Sequence, residues 1–467
     1  MKFIDTVKGW ISMVFNNRAK SEFDVIPVAS ENLSKYIESC SKIYNGKPNW
    51  LDDDISTINF AKSVCSEAAR LATLAISVNF DGSVRAEYLQ KAFDEQAYYN
   101  LRHWVEFGLG YGTVIIKPNG NSIDVFTPDK FIITDYEGDN ILGAVFQTNA
   151  FKDGKYYTRY EYHRFENGKY AVSNRCFVSK TEGVEGKPIS IEHTPWSDLA
   201  EDVYLQNVDK PLFGVFRTPQ ANNIDKNSVY GLPLFSDAIT ELKDLDIAYS
   251  RNSNEIYDSK RTVLLDSDRL MPMPGKGNKI IGGSFDDLKT RMGLPDYVKA
   301  ISGTGEGDIY HEINPTLETE KRLTGINALL SQIGYKCGFS NGYFVFNEKQ
   351  GVQTATQVES DDRRTIQLIK DIRDKLEYCI NGLVYALDKF ADLYDTVPTG
   401  DYEIFYDFGD ITYNVEEDRA RWYSYVVAGK IPFWYYLTKF EGFTEEDAKA
   451  IEAQAQPQAE LFGGIEE

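Results

Sequence analysis

Four histidines, His103, His163, His193 and His311, are spread through 467 residues, and no two stand at the spacing of metal ligands. HExxH and GxSxG are absent. The five cysteines, Cys40, Cys65, Cys176, Cys337 and Cys379, form no CxxC pair, so they read as reduced thiols of a cytosolic setting. Lys276-Gly277-Asn278-Lys279 lies among glycines but lacks the GK[ST] that a phosphate loop needs. Gly108-Leu109-Gly110-Tyr111-Gly112 follows a predicted helix, where a dinucleotide fingerprint would follow a strand, and therefore reads as a hinge between helix and sheet. His103 beside Trp104 reads as a helix-surface or core histidine. No catalytic residue, metal or cofactor is expected.

Clustered charges and one loop are what remain. Asp52, Asp53 and Asp54 could bind a cation, but a solvated turn capping the next helix is the simpler reading. Asp361-Asp362-Arg363-Arg364 falls near the start of a long helix, where acids suit the helix dipole and where pairing between subunits of a ring is the alternative. The loop from Gly338 to Gln353 carries the sharpest signal. Gly338, Gly342 and Gly351 bracket the apolar tip Tyr343, Phe344, Val345 and Phe346, with Asn347 and Lys349 following. The tip could be a buried core turn, or it could project into a channel.

Two helices must position that loop. The first arm opens with Asn314 as cap and Pro315, then places Leu323, Ile326, Leu330 and Ile333 at helical spacing. The second begins with the capping-box pair Thr354 and Gln357 and carries its apolar stripe from Ile366 through Ile380 to Phe390 without a proline. About forty residues make a rod of roughly 60 Å, more than a compact domain usually needs.

Before them, the spacing predicts helices over Ile55 to Ile76 and Ala86 to Phe107, then an antiparallel, tyrosine-rich sheet over about 112–218 with hairpins at Asn119-Gly120 and Asn167-Gly168. A helix follows Tyr230-Gly231 and runs to about Asp258. Residues 260–310, rich in Gly and Pro, read as a compact α+β insertion at the end of a helical hairpin. After the rod come a strand at Tyr402 to Phe408, a helix at Val415 to Ala428 and another from Pro432 to about Ala455. The fold class is α+β.

Lys and Arg total 50 against 71 Asp and Glu, a net charge of -21, which is a poor basis for gripping nucleic acid by its phosphates. Residues 395–467 alone hold 16 acidic and 5 basic side chains. Met1 to Phe15 has helical periodicity but is too short and too charged for a secretory or membrane-spanning segment, and reads as a helix docked on its own or a neighbouring subunit. A soluble protein is expected.

GTVIIKP at Gly112 to Pro118, VYGLPLF with LKDLD between Val229 and Asp246, QTATQVES at Gln353 to Ser360, and VVAGKIP with GFTEEDA between Val426 and Ala448 stand in a recognisable order. In that order the chain resembles the portal proteins of long-tailed bacteriophages, the type found with Gram-positive hosts. The resemblance implies a portal-like architecture: wing at 1–231, stem helices at 232–259 and 311–337, clip at 260–310, tunnel loop at 338–353, long wing helix at 354–394, and wing strand and crown at 395–467. It implies a dodecameric ring at one capsid vertex, assembled in the host cytoplasm, through which double-stranded DNA is packaged and ejected without sequence specificity. Terminase, head-completion or adaptor, scaffold and major capsid proteins would be the partners, with no membrane involved. Lys321, Arg322, Lys336 and Lys349 would be candidates for transient phosphate contacts, with solvated helix faces the alternative. Asp361, Asp362, Arg363 and Arg364 would pair between subunits, and Arg269, Lys276, Lys279 and Arg291 would face docking partners. Twelve copies would carry a charge on the order of -250, repelling DNA from most surfaces. Two other classes fit parts of the sequence: a host-surface or carbohydrate-binding structural protein, which would use the tyrosine-rich sheet, and a hydrolase with an acid pair that spacing does not reveal.

Overall fold

A computed structural model describes residues 18–120, 122–184, 186–259, 262–266, 298–301, 310–313, 318–346, 355–409, 415–428, 430–441 and 443–454. The chain forms two compact units, Met1–Asp407 and Phe408–Glu467. In the first, helix α1 (Glu31–Tyr44) is capped by Ser30, whose hydroxyl accepts from Leu33 N. Helix α2 (Phe60–Ala72), strand β1 (Ser77–Gly82), helix α3 (Val84–Gln96) and helix α4 (Leu101–Tyr111) follow.

The two larger sheets begin directly after α4. Strands β2 (Thr113–Asn119) and β3 (Ser122–Phe126) pair as a hairpin, and β10 (Gly214–Arg217) joins β2 to make a three-stranded antiparallel sheet. A second sheet runs β4 (Phe131–Glu137), β5 (Asn140–Lys152), β6 (Lys155–Glu166), β7 (Lys169–Ser179), β8 (Lys187–Ile189), with β9 (Asp202–Leu205) also on β7. Both Asn-Gly hairpins form where expected. The single sheet expected over 112–218 is thus two, which share one core. Leu33 and Ile37 of α1 pack with Ile115, Phe126, Phe146 and Phe213.

Helix α5 (Ile239–Asp258) leads to β11 (Thr262–Asp266), β12 (Val298–Ile301) and β13 (Tyr310–Ile313), a small sheet in which β11 is central, parallel to β12 and antiparallel to β13. Helices α6 (Thr319–Lys336) and α7 (Ala355–Leu393) and strand β14 (Tyr402–Asp407) complete the unit; β14 pairs antiparallel with β1. The second unit holds α8 (Val415–Val427), α9 (Phe433–Glu441) and α10 (Glu445–Gln454), with α8 packed on α9 through aromatic side chains such as Trp422 on Tyr435 and Tyr423 on Tyr436. The α+β class is borne out.

Several sequence expectations are corrected. His311 does not open a helix; it lies in β13 opposite Leu264, and α6 begins only at Thr319. Asn314, Pro315 and Thr354 fall outside the described residues. The helix expected over Ile55 to Ile76 is shorter, because Asp52 holds a turn whose carboxylate accepts from Asp54 N and Ile55 N at 2.9 and 2.7 Å. The Ala86 to Phe107 helix is two, broken by a tight turn at Tyr98–Asn100. Gly108 and Gly110 do not stop α4. A Cβ on Gly108 would lie 2.0 Å from the Phe216 ring and one on Gly110 2.5 Å from Tyr44, so these glycines admit aromatic neighbours, and the chain turns only at Gly112, φ +83. The terminal helix is also two, α9 and α10. Helix α1 and strand β1 had no counterpart in the expectation.

A buried charge cluster fixes the larger sheet to β2. Lys117 Nζ meets both oxygens of Glu161 at 2.9 Å, Arg159 Nη2 donates to Oε2 at 3.0 Å, and His163 Nε2 stands 2.8 Å from Oε1. Tyr170 Oη accepts from Leu212 N at 3.0 Å, so its proton goes to His163 Nδ1 at 2.9 Å, and the imidazole donates through Nε2 to Glu161. Burial opposes ionisation of Glu161, but Lys117, His163 and Arg159 hold its carboxyl well below the usual range; burial lowers His163 and keeps it neutral. Because the folded value lies below the unfolded one, Glu161 contributes stability above about pH 4.3, and that contribution is lost as pH falls further. Glu161→Gln should cost about 3–5 kcal/mol near neutral pH, since it strands two buried cations, and should flatten the acid limb. Denaturant midpoints of the two proteins across pH check this; equal acid limbs would contradict it.

Candidate functional site: the aromatic loop and the helices that hold it

Helices α5 and α6 lie antiparallel, joined by ion pairs at both ends. Arg322 pairs with Glu255 at one end; at the other Lys336 Nζ lies 2.6 Å from Glu241 Oε1 and donates to Asp237 O at 3.0 Å. Burial would raise Glu241, but Lys336 lowers it on balance. Asp246, in the middle of α5, is 4% exposed and accepts from Trp50 Nε1 at 2.9 Å and Ile58 N at 3.2 Å, which ties the segment before α2 to α5. Burial pushes its carboxyl up.

The chain leaves α6 through Cys337 and Gly338, φ +94, and buries Phe339 completely. Ser340 and Thr365 exchange hydrogen bonds, Ser340 N donating to Thr365 Oγ1 at 2.9 Å, and so fasten the loop's root to α7. The tip then folds back on two helices. Phe344 stands edge-on to Phe60 of α2 and to Phe339, with ring centres 5.2 and 4.8 Å away, over Gly334 of α6. Tyr343 Oη donates to Glu67 Oε1 of α2 at 2.5 Å. Arg70 grips the same carboxylate at 2.7 and 2.8 Å, and this bond, chiefly, lowers Glu67. Asn327 of α6 clasps Phe346, its Oδ1 accepting from the amide at 2.8 Å and its Nδ2 donating to the carbonyl at 2.9 Å. Ser331 Oγ accepts from Gly342 N at 3.0 Å.

Through Phe346 the tip is therefore a docked turn with one open flank: Tyr343 is 37% and Phe346 53% exposed. Asn347 and Lys349 lie outside the described residues, as do Arg269, Lys276, Lys279 and Arg291. Of the cations expected near the loop, Arg322 and Lys336 are engaged by α5, while Lys321 is exposed and pairs with Glu318, the residue just before α6, at 2.9 Å. Arg363 is exposed; Arg364 stacks on Tyr335, 3.8 Å from the ring centre, and donates to Tyr335 O at 2.8 Å. Asp361 and Asp362 belong to α7, and their side chains are outside the described set. His103 is exposed on α4. Among the described residues no three His, Cys, Asp or Glu converge on a metal site, and all five cysteines are free and buried. No described helix is long and apolar enough to cross a membrane.

Glu67, Asn327 and Ser331 escaped the sequence reading. A signal existed for two of them: Asn327, Ser331 and Gly334 stand four and three residues apart, a polar and small stripe beside the apolar stripe of α6.

The model of the phage portal protein family, SPP1 Gp6-like, matches residues 87–461, a span that includes α5, α6, the loop and α7. The chain belongs to this portal family. Its role is that of a capsid portal. No curated protein matches it. Among solved structures it is similar to a chain in the neck of an empty GTA particle computed with C6 symmetry, at 11% identity and TM-score 0.41, covering 89% of this chain and 95% of that one. It is also similar to a chain in the neck of a native GTA particle computed with C12 symmetry, at 9% identity and TM-score 0.38, covering 92% and 96%. Both likenesses are loose.

Two of the portal signatures meet in space. Gly231 N donates to Thr113 Oγ1 at 2.8 Å, and Thr218 bridges the two segments, its N donating to Gly112 O at 3.0 Å and its Oγ1 to Leu232 O at 2.6 Å, so GTVIIKP and VYGLPLF form one joint at the entry to α5. LKDLD supplies Asp246. The docking of the tip predicts that Asn327→Ala, which removes two hydrogen bonds of roughly 1 kcal/mol each, speeds amide exchange at Phe346 about ten-fold or more while leaving α7 protected. Exchange that is unchanged would mean that the tip is held elsewhere.

Proposed function

We propose that copies of this portal protein form a closed ring, of about twelve, at one capsid vertex, and that the genome enters and leaves through its centre. In this reading α5 and α6 are the stem, residues 260–310 with β13 the clip, 338–353 the tunnel loop, and residues 1–231 with α7 the wing. The observation that carries it is the loop's construction within a portal-family chain: an aromatic turn mounted on an antiparallel helix pair, anchored to a helix of 39 residues. Such a mount places the turn by rigid elements.

An acidic wall suits a conduit. At -21 per copy the ring repels a polyanion over most of its surface, and duplex DNA passes with few lasting phosphate contacts. Lys321, exposed on α6, and Lys349 are the proposed transient contacts. Arg322 and Lys336 serve first to tie α6 to α5, and a phosphate would have to compete with Glu255 and Glu241. Terminase and head-completion proteins would engage the clip, where Arg269, Lys276, Lys279 and Arg291 lie, and scaffold and major capsid proteins would surround the ring.

Native mass spectrometry with negative-stain images tests the ring. The expected result is a closed assembly of about twelve copies with a central hole. A species that stays monomeric both alone and when co-expressed with its capsid proteins would overturn the reading. Tyr343→Ala with Phe346→Ala should leave the ring mass unchanged and lower the DNA packaged per procapsid; full packaging would remove the loop from the channel's working parts.

A further inference from the structure

The outer edge of β7 is covered in two pieces. Strand β8 pairs with Cys176 to Val178 and β9 with Tyr170 to Ser173, and among the described strands none pairs with Asn174 or Arg175 on that side. The chain between β8 and β9 turns at Ile191–His193 and comes back to Asn174, whose N donates to Glu201 O at 2.6 Å. A cavity of about 330 Å³ remains in this notch, with Pro188, Ile189 and Ile191 as its apolar wall. That volume is at the lower end of small-molecule sites.

Asn174 is 5% exposed, and all but one of its polar groups are spent. Besides the amide bonded to Glu201 O, its carbonyl accepts from Arg175 Nη1 and its side-chain Nδ2 donates to Ala200 O, both at 2.8 Å. Because Nδ2 is committed to Ala200, the atom left bare beside the cavity is Oδ1, an acceptor. Native structures rarely bury an acceptor without a partner. The charges around the cavity point the same way. Glu22 pairs with Arg18 at 3.1 Å and Arg175 with Asp202 at 3.4 Å, so those charges cancel. Glu201 is exposed, and among the described residues its carboxylate has no ion-pair partner. One negative charge and one buried carbonyl oxygen are left over, and both accept hydrogen bonds.

We propose that the notch between β8 and β9 binds a primary alkylammonium group, carried either by a free aliphatic amine or by a lysine side chain of another protein. The ammonium supplies what the notch lacks: N–H donors for Asn174 Oδ1 and a positive charge for Glu201. Its hydrocarbon stem lies on Ile189 and Ile191, which suits a chain with an apolar body and a charged head. An anion finds no such welcome, since the guanidinium in the wall, Arg175, is already held by Asp202 and by the carbonyl of Asn174.

The probe is n-butylammonium, titrated onto the full-length protein and followed by saturation-transfer NMR. The expected result is saturable binding with a Kd of about 1 mM, while n-butanol, which has the shape without the charge, binds about ten-fold more weakly or not at all. Glu201→Gln changes an exposed side chain and should weaken n-butylammonium about ten-fold with the fold intact. Asn174→Leu removes the bare acceptor and should abolish binding; because it also breaks the bond to Ala200 O, Glu201→Gln decides the matter if the leucine variant misfolds. Acetyl-lysine methylamide separates the two sources. If it binds as n-butylammonium does, the site takes a lysine of another protein; if only n-butylammonium binds, it takes a free amine. No binding of either amine, the result for a cavity that holds only water, would overturn the proposal. So would equal binding of n-butanol, or binding indifferent to Glu201→Gln, which is what loose attraction of cations to an acidic surface gives. None of these readouts depends on ring formation or packaging, so either reading can fail alone.

Discussion

Arg85 is 1% exposed, and a guanidinium taken that far from water must place its donors on acceptors or cost several kcal/mol. Nη2 reaches Asp392 Oδ1 at 2.6 Å and Val397 O at 2.9 Å, Nη1 reaches Asp388 O at 3.0 Å, and Nε reaches Pro398 O at 3.1 Å. Asp388 and Asp392 lie in the last turns of α7, where helix carbonyls run out of partners and positive charge is favoured. One side chain of α3 thus terminates the longest helix, orders the segment that leaves it and delivers the chain to β14. The pairing of β1 with β14, some 320 residues apart in sequence, depends on it.

Along its length α7 touches nearly everything that matters in the first unit. Arg364 and Thr365 hold the root of the aromatic loop, Arg373 Nε donates to Ala72 O at the end of α2, and Gly214 of β10 sits so close to Cys379 O that a Cβ would lie 2.3 Å away. Tyr385 Oη accepts from Asp209 N at 3.1 Å. Burial of Ile369, Ile372, Leu376, Ile380 and Leu383 supplies the driving force, and these specific contacts set the register.

The stripe of α7 was legible because its period is local and uninterrupted, and the hairpins at Asn119-Gly120 and Asn167-Gly168 were legible because positive φ at the turn selects those residues: Gly120 has φ +59 and Gly168 +73. Strand β1 was not, since its partner lies at the far end of the chain and its edge is finished by Gln90, a residue with no strand signature. Gly108 misled for a physical reason. Glycine disfavours helix through entropy, yet here its missing Cβ makes room for Phe216, and packing overrides propensity. At the loop, composition marked the tip correctly as aromatic between glycines; that it docks on Phe60 and Glu67, nearly 280 positions earlier, is a tertiary fact that no local pattern carries. Likewise Arg322 and Lys336 look like free cations until α5 is laid beside them.

A helix of 39 residues spans about 58 Å, and α7 is bolted at Thr365, ten residues in, by Ser340 and at its end by Arg85. Mechanically that is a strut between two fixed joints. A push on the loop's root cannot be absorbed by bending over so short a rod, so it arrives at the Arg85 joint as axial load, and from there at the β1–β14 ribbon. Force applied at the root of the aromatic loop would then be felt in a ribbon whose two strands stand some 320 residues apart in the sequence.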